Sequence, residues 1–302
     1  MRKLALTVRL AAGLAALALG AAACGGGDSE AGGSASGESG GTITLGIIPS
    51  WTDGLSTAYL WKDVLEQQGY NVEIKGISDA APLYAGVANG DIDVYPSAWP
   101  EVTHKSYMEE FGDDLEDLGA YYDEAKLTIA VPKYTDISSI ADLQGKSEMF
   151  DGRIVGIEPG AGLTEATKES VIPQYGLGDS YELVTSSTTA MLAELQKATK
   201  SKEDIVVTLW RPFWANSEFP VKDLQDPKGA LGPSEGLHAI ATEGFSEEFP
   251  EVAKMMGSFE LNDQEYGQLE DMVVNEYGDG KEAQAVDAWL KQNPDFVKSV
   301  KG

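Results

Sequence analysis

The chain has 302 residues, 42% of them hydrophobic, with 49 acidic against 22 basic side chains and a formal net charge of −27. That is apolar material for one large domain or two ordinary ones, at roughly 100–200 residues each, and the acid excess argues against nucleic acid, whose recognition depends on clustered Lys and Arg. One cysteine excludes an intramolecular disulfide, and two histidines leave little basis for a metal site.

Arg2, Lys3 and Arg9 precede a small and apolar run from Leu10 to Ala23 that stops at Cys24. The run is shorter than the ~20 residues a helix needs to cross a bilayer, so residues 1–23 read as a secretory signal rather than a permanent span. Ala21-Ala22-Ala23 before Cys24 resembles a bacterial lipoprotein lipobox, although Ala21 stands where leucine is commonest. The resemblance implies a lipidated Cys24 as the mature N-terminus; ordinary signal cleavage is the alternative. Residues 25–41 are eight Gly, four Ser, two Ala and three acids, a composition with nothing to bury, so 24–41 is expected to be a solvated tether. Losing the signal removes three bases and no acid, which takes the charge to −30. Anionic lipid would repel such a body, and attachment would rest on the acyl chains.

From Thr42 the hydrophobic period alternates between strand and helix. Strands are expected at Thr42 to Ile48, Val72 to Ile74, Ile92 to Tyr95, Leu127 to Val131, Ile154 to Ile157, Tyr181 to Val184 and Ile205 to Trp210. Between them, helical spacing marks Tyr59 to Leu65, Pro82 to Ala88, Thr164 to Tyr175 and Thr188 to Lys200, and after Phe245 the pattern is helical to the end. Strands separated by helices predict an α/β body built of parallel βαβ units, in two lobes with a ligand cleft between them.

Glu158-Pro159-Gly160-Ala161-Gly162-Leu163-Thr164 follows a strand and opens a helix, a place where free N–H groups and the helix dipole favour an anion. It is no dinucleotide fingerprint, because position 165, where the third glycine belongs, holds glutamate. Trp51, Trp99 and Trp210 each stand just beyond the carboxyl end of an expected strand, the edge that borders the crevice in a parallel sheet. Three indoles around one crevice suit a cation without hydrogen-bond donors, such as a quaternary ammonium, at about 0.5–2 kcal/mol per contact. Trp61 and Trp289 lie on apolar helix faces and are expected in the core, while Trp214 is ambiguous. His104, five residues after Trp99, is placed to turn toward the same crevice; surface or core is the blander reading, as it is for His238. No G-x-S-x-G elbow is present, and the acidic runs Asp113 to Asp117 and Asp279 to Glu282 lack calcium-loop spacing and are expected to be solvated faces. No catalytic residue, metal or cofactor is expected.

Taken in order, Trp51-Thr52-Asp53, Ala88-Asn89-Gly90-Asp91-Ile92-Asp93, Ser97-Ala98-Trp99 with Thr103-His104, Val131-Pro132-Lys133-Tyr134, Gly156 to Gly162, Thr185-Ser186-Ser187, Trp210-Arg211-Pro212-Phe213-Trp214 and Asp226-Pro227-Lys228 resemble the glycine betaine and related osmoprotectant-binding proteins of ABC importers. The resemblance runs over nearly all of residues 42–300. It implies a two-lobed type II periplasmic-binding-protein fold, with mainly parallel sheets, 42–131 plus 242–302 as lobe I and 132–241 as lobe II. It further implies an ammonium cage of Trp51, Trp99 and Trp210, a carboxylate held by the amides of Gly162 and Leu163 with help from His104, and partners in a membrane permease and its ATPase. Two departures stand out. Phe213 replaces a histidine common in the family, and Trp51-Thr52-Asp53 also resembles the choline-binding branch, where the aspartate helps neutralise the ligand. That branch has an Asn-containing segment and a cage tyrosine at places held here by Ala161 and Leu127, so betaine ranks above choline or carnitine.

Overall fold

The computed structural model describes residues 40–301. The signal segment, Cys24 and all of the tether before Gly40 lie outside the described residues. Gly40 and Gly41, expected to belong to that tether, are already tied in: Gly40 N donates to Gly69 O, and Gly41 O accepts from Asn71 N.

In chain order the elements are β1 (Thr42–Ile47), α1 (Thr52–Glu66), β2 (Asn71–Gly76), α2 (Ala80–Ala88), β3 (Val94–Ala98), α3 (Lys105–Phe111), β4 (Leu115–Pro132), β5 (Arg153–Val155) and α4 (Gly162–Ala166). A π-helical turn, Thr167–Val171, joins α4 to α5 (Ile172–Gln174); then follow β6 (Glu182–Val184), α6 (Thr188–Ser201), β7 (Val207–Arg211), α7 (Ala215–Glu218), β8 (Val221–Asp223) and β9 (Glu235–Thr242). The chain closes with α8 (Phe245–Glu248), α9 (Pro250–Met256), α10 (Asp263–Asp271), α11 (Glu282–Gln292) and α12 (Pro294–Lys301).

The strands form one continuous array, β2-β1-β3-β9-β4-β7-β5-β6, with β8 also beside β4. The expected βαβ units supply its two wings, where β1 lies parallel to β2 and β3, and β5 parallel to β6 and β7. Antiparallel pairs join the wings through β4. Its first part, to Ala125, pairs with β9, and its second, from Lys126, pairs with β7 and β8. Three register shifts between Asp117 and Ala125 bend the strand, as extra residues in one strand of a ladder do. One strand thus serves both halves of the fold and carries the chain from one to the other.

Several expectations change. The acidic run Asp113 to Asp117 leads into β4 with Asp113, Asp114 and Asp117 exposed, as expected of a solvated face, and two of its acids are also engaged: Glu116 accepts from the N–H groups of Gly244 and Ser246, at 2.8 and 3.0 Å, and Asp117 binds His238 Nδ1 at 2.8 Å. Trp210 lies inside β7, not past its end. The lobe boundary expected between residues 241 and 242 falls within β9, whose partners are β3 and the first part of β4. Trp61 and Trp289 are fully buried, Trp61 edge-on to Phe259 at 4.9 Å, and Trp289 donating its indole N–H to Glu265 O at 3.1 Å.

Candidate functional site

Trp51, Asp53, Trp99, Thr103, Leu127, Ile157, Ala161, Gly162, Leu163 and Trp210 line one small cavity. The topology explains their meeting. β1 ends at Ile47 and delivers Trp51 to the start of α1; β3 ends at Ala98 and delivers Trp99. Leu127 and Trp210 are cross-strand partners on β4 and β7, and the turn after β5 brings Ala161, Gly162 and Leu163.

Each indole is braced. Trp51 Nε1 donates to Glu158 Oε2 at 3.0 Å, and Trp99 Nε1 to Asp53 Oδ2 at 3.3 Å. Trp210 stacks on Phe213, with ring centroids 3.9 Å apart and an interplanar angle of 18°. The phenylalanine at the departed position therefore packs behind an indole. Hydrogen bonds at the rim and stacking behind hold the rings at low conformational freedom, which lowers the entropy lost when a ligand arrives.

Asp53, in the first turn of α1, is 2% exposed. Its Oδ2 accepts from Ser97 Oγ at 2.9 Å as well as from Trp99, whereas the buried Oδ1 has no partner among the described residues. Burial raises the carboxyl above its usual range, and the Ser97 and Trp99 bonds offset part of the rise. α4 begins at Gly162, so the N–H groups of Gly162 and Leu163 are first-turn donors with no acceptor earlier in their helix. A Cβ on Gly162 would stand 1.9 Å from Thr103 O, so glycine is required by a close approach of two backbones.

His104 stands just behind. It is 1% exposed, is not among the cavity-lining residues, and lies face to face with Trp51 at 6.0 Å. The Trp99 N–H donates to its Nδ1 at 3.1 Å, and the Tyr84 hydroxyl lies 3.0 Å from the same atom. An acceptor Nδ1 leaves the ring proton on Nε2. Burial pushes the ring down to about 3, so it is neutral throughout the physiological range. Two contributors were missed in the sequence. Glu158 accepts from Trp51 and Ser50 across more than a hundred residues, and Ser97 holds Asp53; nothing in the local pattern of either residue signals such a partner.

The comparisons with known proteins bear on the chain as a whole. Residues 41–292 match the family model described as the substrate binding domain of ABC-type glycine betaine transport system. The chain belongs to this family. Among solved structures, a glycine betaine/L-proline-binding protein (ProX) from Borrelia burgdorferi is 32% identical, with a TM-score of 0.79, over 85% of this chain and 96% of that one. Lactococcal OpuAC, in its closed form with glycine betaine, is 29% identical with a TM-score of 0.78, over 86% and 99%. An ABC-transporter choline binding protein in complex with choline is 26% identical, also with a TM-score of 0.78, over 87% and 91%. The fold is therefore the type II periplasmic-binding-protein fold. The glycine betaine/carnitine transport binding protein GbuC of Listeria monocytogenes serotype 1/2a (strain 10403S) is 38% identical over 153 residues, 50% of this chain, and the chain spans about half, 49%, of that relative.

Proposed function

We propose that the protein captures glycine betaine, or the similar proline betaine, outside the cytoplasm and delivers it to an ABC permease, without converting it chemically. The observation that carries this reading is one cavity lined both by the indoles Trp51, Trp99 and Trp210 and by Gly162 and Leu163 at the first turn of α4. A trimethylammonium has no hydrogen to donate and is attracted by indole faces; a carboxylate prefers free N–H groups at the positive end of a helix. His104, neutral and pinned behind Trp51, assists by fixing that wall and the Trp99 backbone.

On this reading the halves of the fold are two lobes, residues 42 to about 125 plus 235–302, and the segment between. Closure around the ligand shifts an open population to a closed one, and the hinge lies in β4 and in the chain before β9. Residues 1–23 act as a lipoprotein signal, Cys24 carries the lipid, and the tether holds the body at the outer face of the membrane, where the permease and its ATPase are the partners.

Choline is the second reading, favoured by the unpartnered, buried Oδ1 of cavity-lining Asp53, which offers a net cation a counter-charge. Carnitine is the third member of the same ligand class. Calorimetry with glycine betaine, proline betaine, carnitine and choline tests all of these, and silence toward every quaternary amine would sink the cage. Asp53→Asn ranks them. A betaine site should keep or improve its affinity, while a choline site should lose it by about tenfold or more, the scale of a charge-assisted contact.

A further inference from the structure

The turn from Glu158 to Gly162 is met from the first half of the fold at every second residue. Gly160 N donates to Asp79 Oδ2 at 3.2 Å, and Gly160 O accepts from the Tyr107 hydroxyl at 2.5 Å. Gly162 lies against the Thr103 carbonyl. Glu158 differs from these in bonding to an indole of the cavity wall. Its carboxylate is 5% exposed and accepts four hydrogen bonds: from Thr188 N at 2.9 Å and Thr188 Oγ1 at 2.8 Å in its own half, and from Ser50 Oγ at 3.1 Å and Trp51 Nε1 at 3.0 Å in the other.

The two pairs of donors have different fates if the halves part. Thr188 travels with Glu158, because β5 and β6 are hydrogen-bonded neighbours and α6 starts at Thr188. Ser50 and Trp51 follow β1 and travel with the other half. The carboxylate is thus held in place beforehand and completes its bonding on closure. Charge-assisted bonds of this kind are about twice as strong as neutral ones.

We propose that Glu158 is a positioning residue that couples closure to assembly of the ammonium cage, by drawing the Trp51 indole N–H across the cleft and so turning the ring face toward the cavity. The inference rests on the ligand-capture reading above and adds to it the residue through which closure builds the site. Glu158 touches no ligand; it acts through Trp51. His104 lies nearly parallel to the Trp51 ring, with centroids 6.0 Å apart.

The experiment is a double-mutant cycle read by calorimetry with glycine betaine. Glu158→Gln keeps the shape and removes the charge, and Trp51→Phe keeps an aromatic face and removes the N–H. Glu158→Gln should weaken binding about 10–100-fold, the range for hydrogen bonds to a charged group. In the Trp51→Phe background the same change should cost less than about threefold, since the shared bond is already gone. In ¹⁵N-labelled protein the Trp51 indole resonance, identified by its loss in Trp51→Phe, should move on ligand addition in the wild type and stay in Glu158→Gln. Unchanged affinity in Glu158→Gln, additive effects, or the same resonance shift in both proteins would overturn the proposal. If Glu158→Gln does not fold, Ser50→Ala carries the test, with an expected loss of about 3–10-fold; no loss overturns it. If the wild type binds no quaternary amine, the ligand reading fails by itself. The latch is then judged on the ligand-free proteins by small-angle scattering, where a more expanded Glu158→Gln supports it and identical profiles overturn it.

Discussion

Behind the cage, two carboxylates sit in adjacent layers of one buried polar network. Glu270 of α10 is 2% exposed and accepts from the hydroxyl of Thr52, the neighbour of Asp53, while Asp53 takes Ser97 and Trp99. Ser97 in turn accepts from the Tyr121 hydroxyl at 2.9 Å. Burial first, and then the nearby Asp53 and Asp271, push Glu270 up to about 8 from the usual 4.5, against the opposing pull of Thr52 and the Trp214 N–H. The folded protein therefore keeps a proton on Glu270 that the unfolded chain releases. Folded protein binds more protons than unfolded between about pH 4.5 and 8, so this group's stabilisation is complete below that window and is lost as pH rises through it. Asp53, also raised by burial, pulls in the same direction. Wild-type melting temperature should then fall from pH 5 to pH 8.5. Glu270→Gln, neutral at every pH, should flatten the fall and melt a few degrees above wild type at pH 8.5, at roughly 2–4 °C per kcal/mol for a chain of this size. Parallel curves for the two proteins in thermal melts would show that Glu270 is ionised in the fold.

At the scale of elements, α4 matters more by where it begins than by its five residues. Its first residue meets the Thr103 carbonyl so closely that only a residue without a side chain fits at this point between the two halves. Gly162→Ala should hold them apart. Ligand affinity should drop by about a hundredfold or more, while the ligand-free melting temperature stays level or rises, since alanine is favoured over glycine within a helix by up to about 1 kcal/mol. An affinity within a few-fold of wild type would show that the contact gives way easily. This glycine was visible in the sequence as part of a strand-to-helix turn, and so were β1, β2, α2, α6 and the three indoles, because each rests on local period or on a residue type whose chemistry is self-announcing. The longest strand was not. Leu115 to Lys126 carries acids, a glycine and three shifts of register, so no alternation survives to be read. β9 hid for the opposite reason: it is buried along almost all its length and holds Glu235 and His238, which are made tolerable only by distant partners. The N–H groups of Val102 and Thr103 satisfy Glu235, and Asp117 pairs His238. For His238, burial opposes the charged form, but the bond to Asp117 and the carboxylates of Asp117 and Glu101 outweigh it and raise the ring above its usual value. Interactions across the fold leave no mark on a window of ten residues, and Glu158 escaped notice on the same ground.

Over the whole molecule, the charge of −27 that opened the question of partners acts at a distance while the cage acts on contact. An acidic surface raises the local concentration of any small cation and speeds its arrival, an effect that weakens as salt shortens the Debye length from about 30 Å at 0.01 M to about 10 Å at 0.1 M. Glycine betaine has no net charge to be steered. Choline has one. Once inside, either ligand sits among side chains that are more than nine-tenths buried, with Trp51 7%, Trp99 4% and Trp210 5% exposed, where screening by salt is slight. Association followed by tryptophan fluorescence in a stopped-flow instrument, between about 0.02 and 0.5 M salt, separates the two scales. The glycine betaine association rate should change by less than about twofold, whereas the choline rate should fall severalfold, and both dissociation rates should stay nearly constant, as they do when rim or surface charge governs arrival rather than departure. Equal salt slopes for the two ligands would mean that the acidic surface is arranged away from the cleft mouth and plays no part in capture.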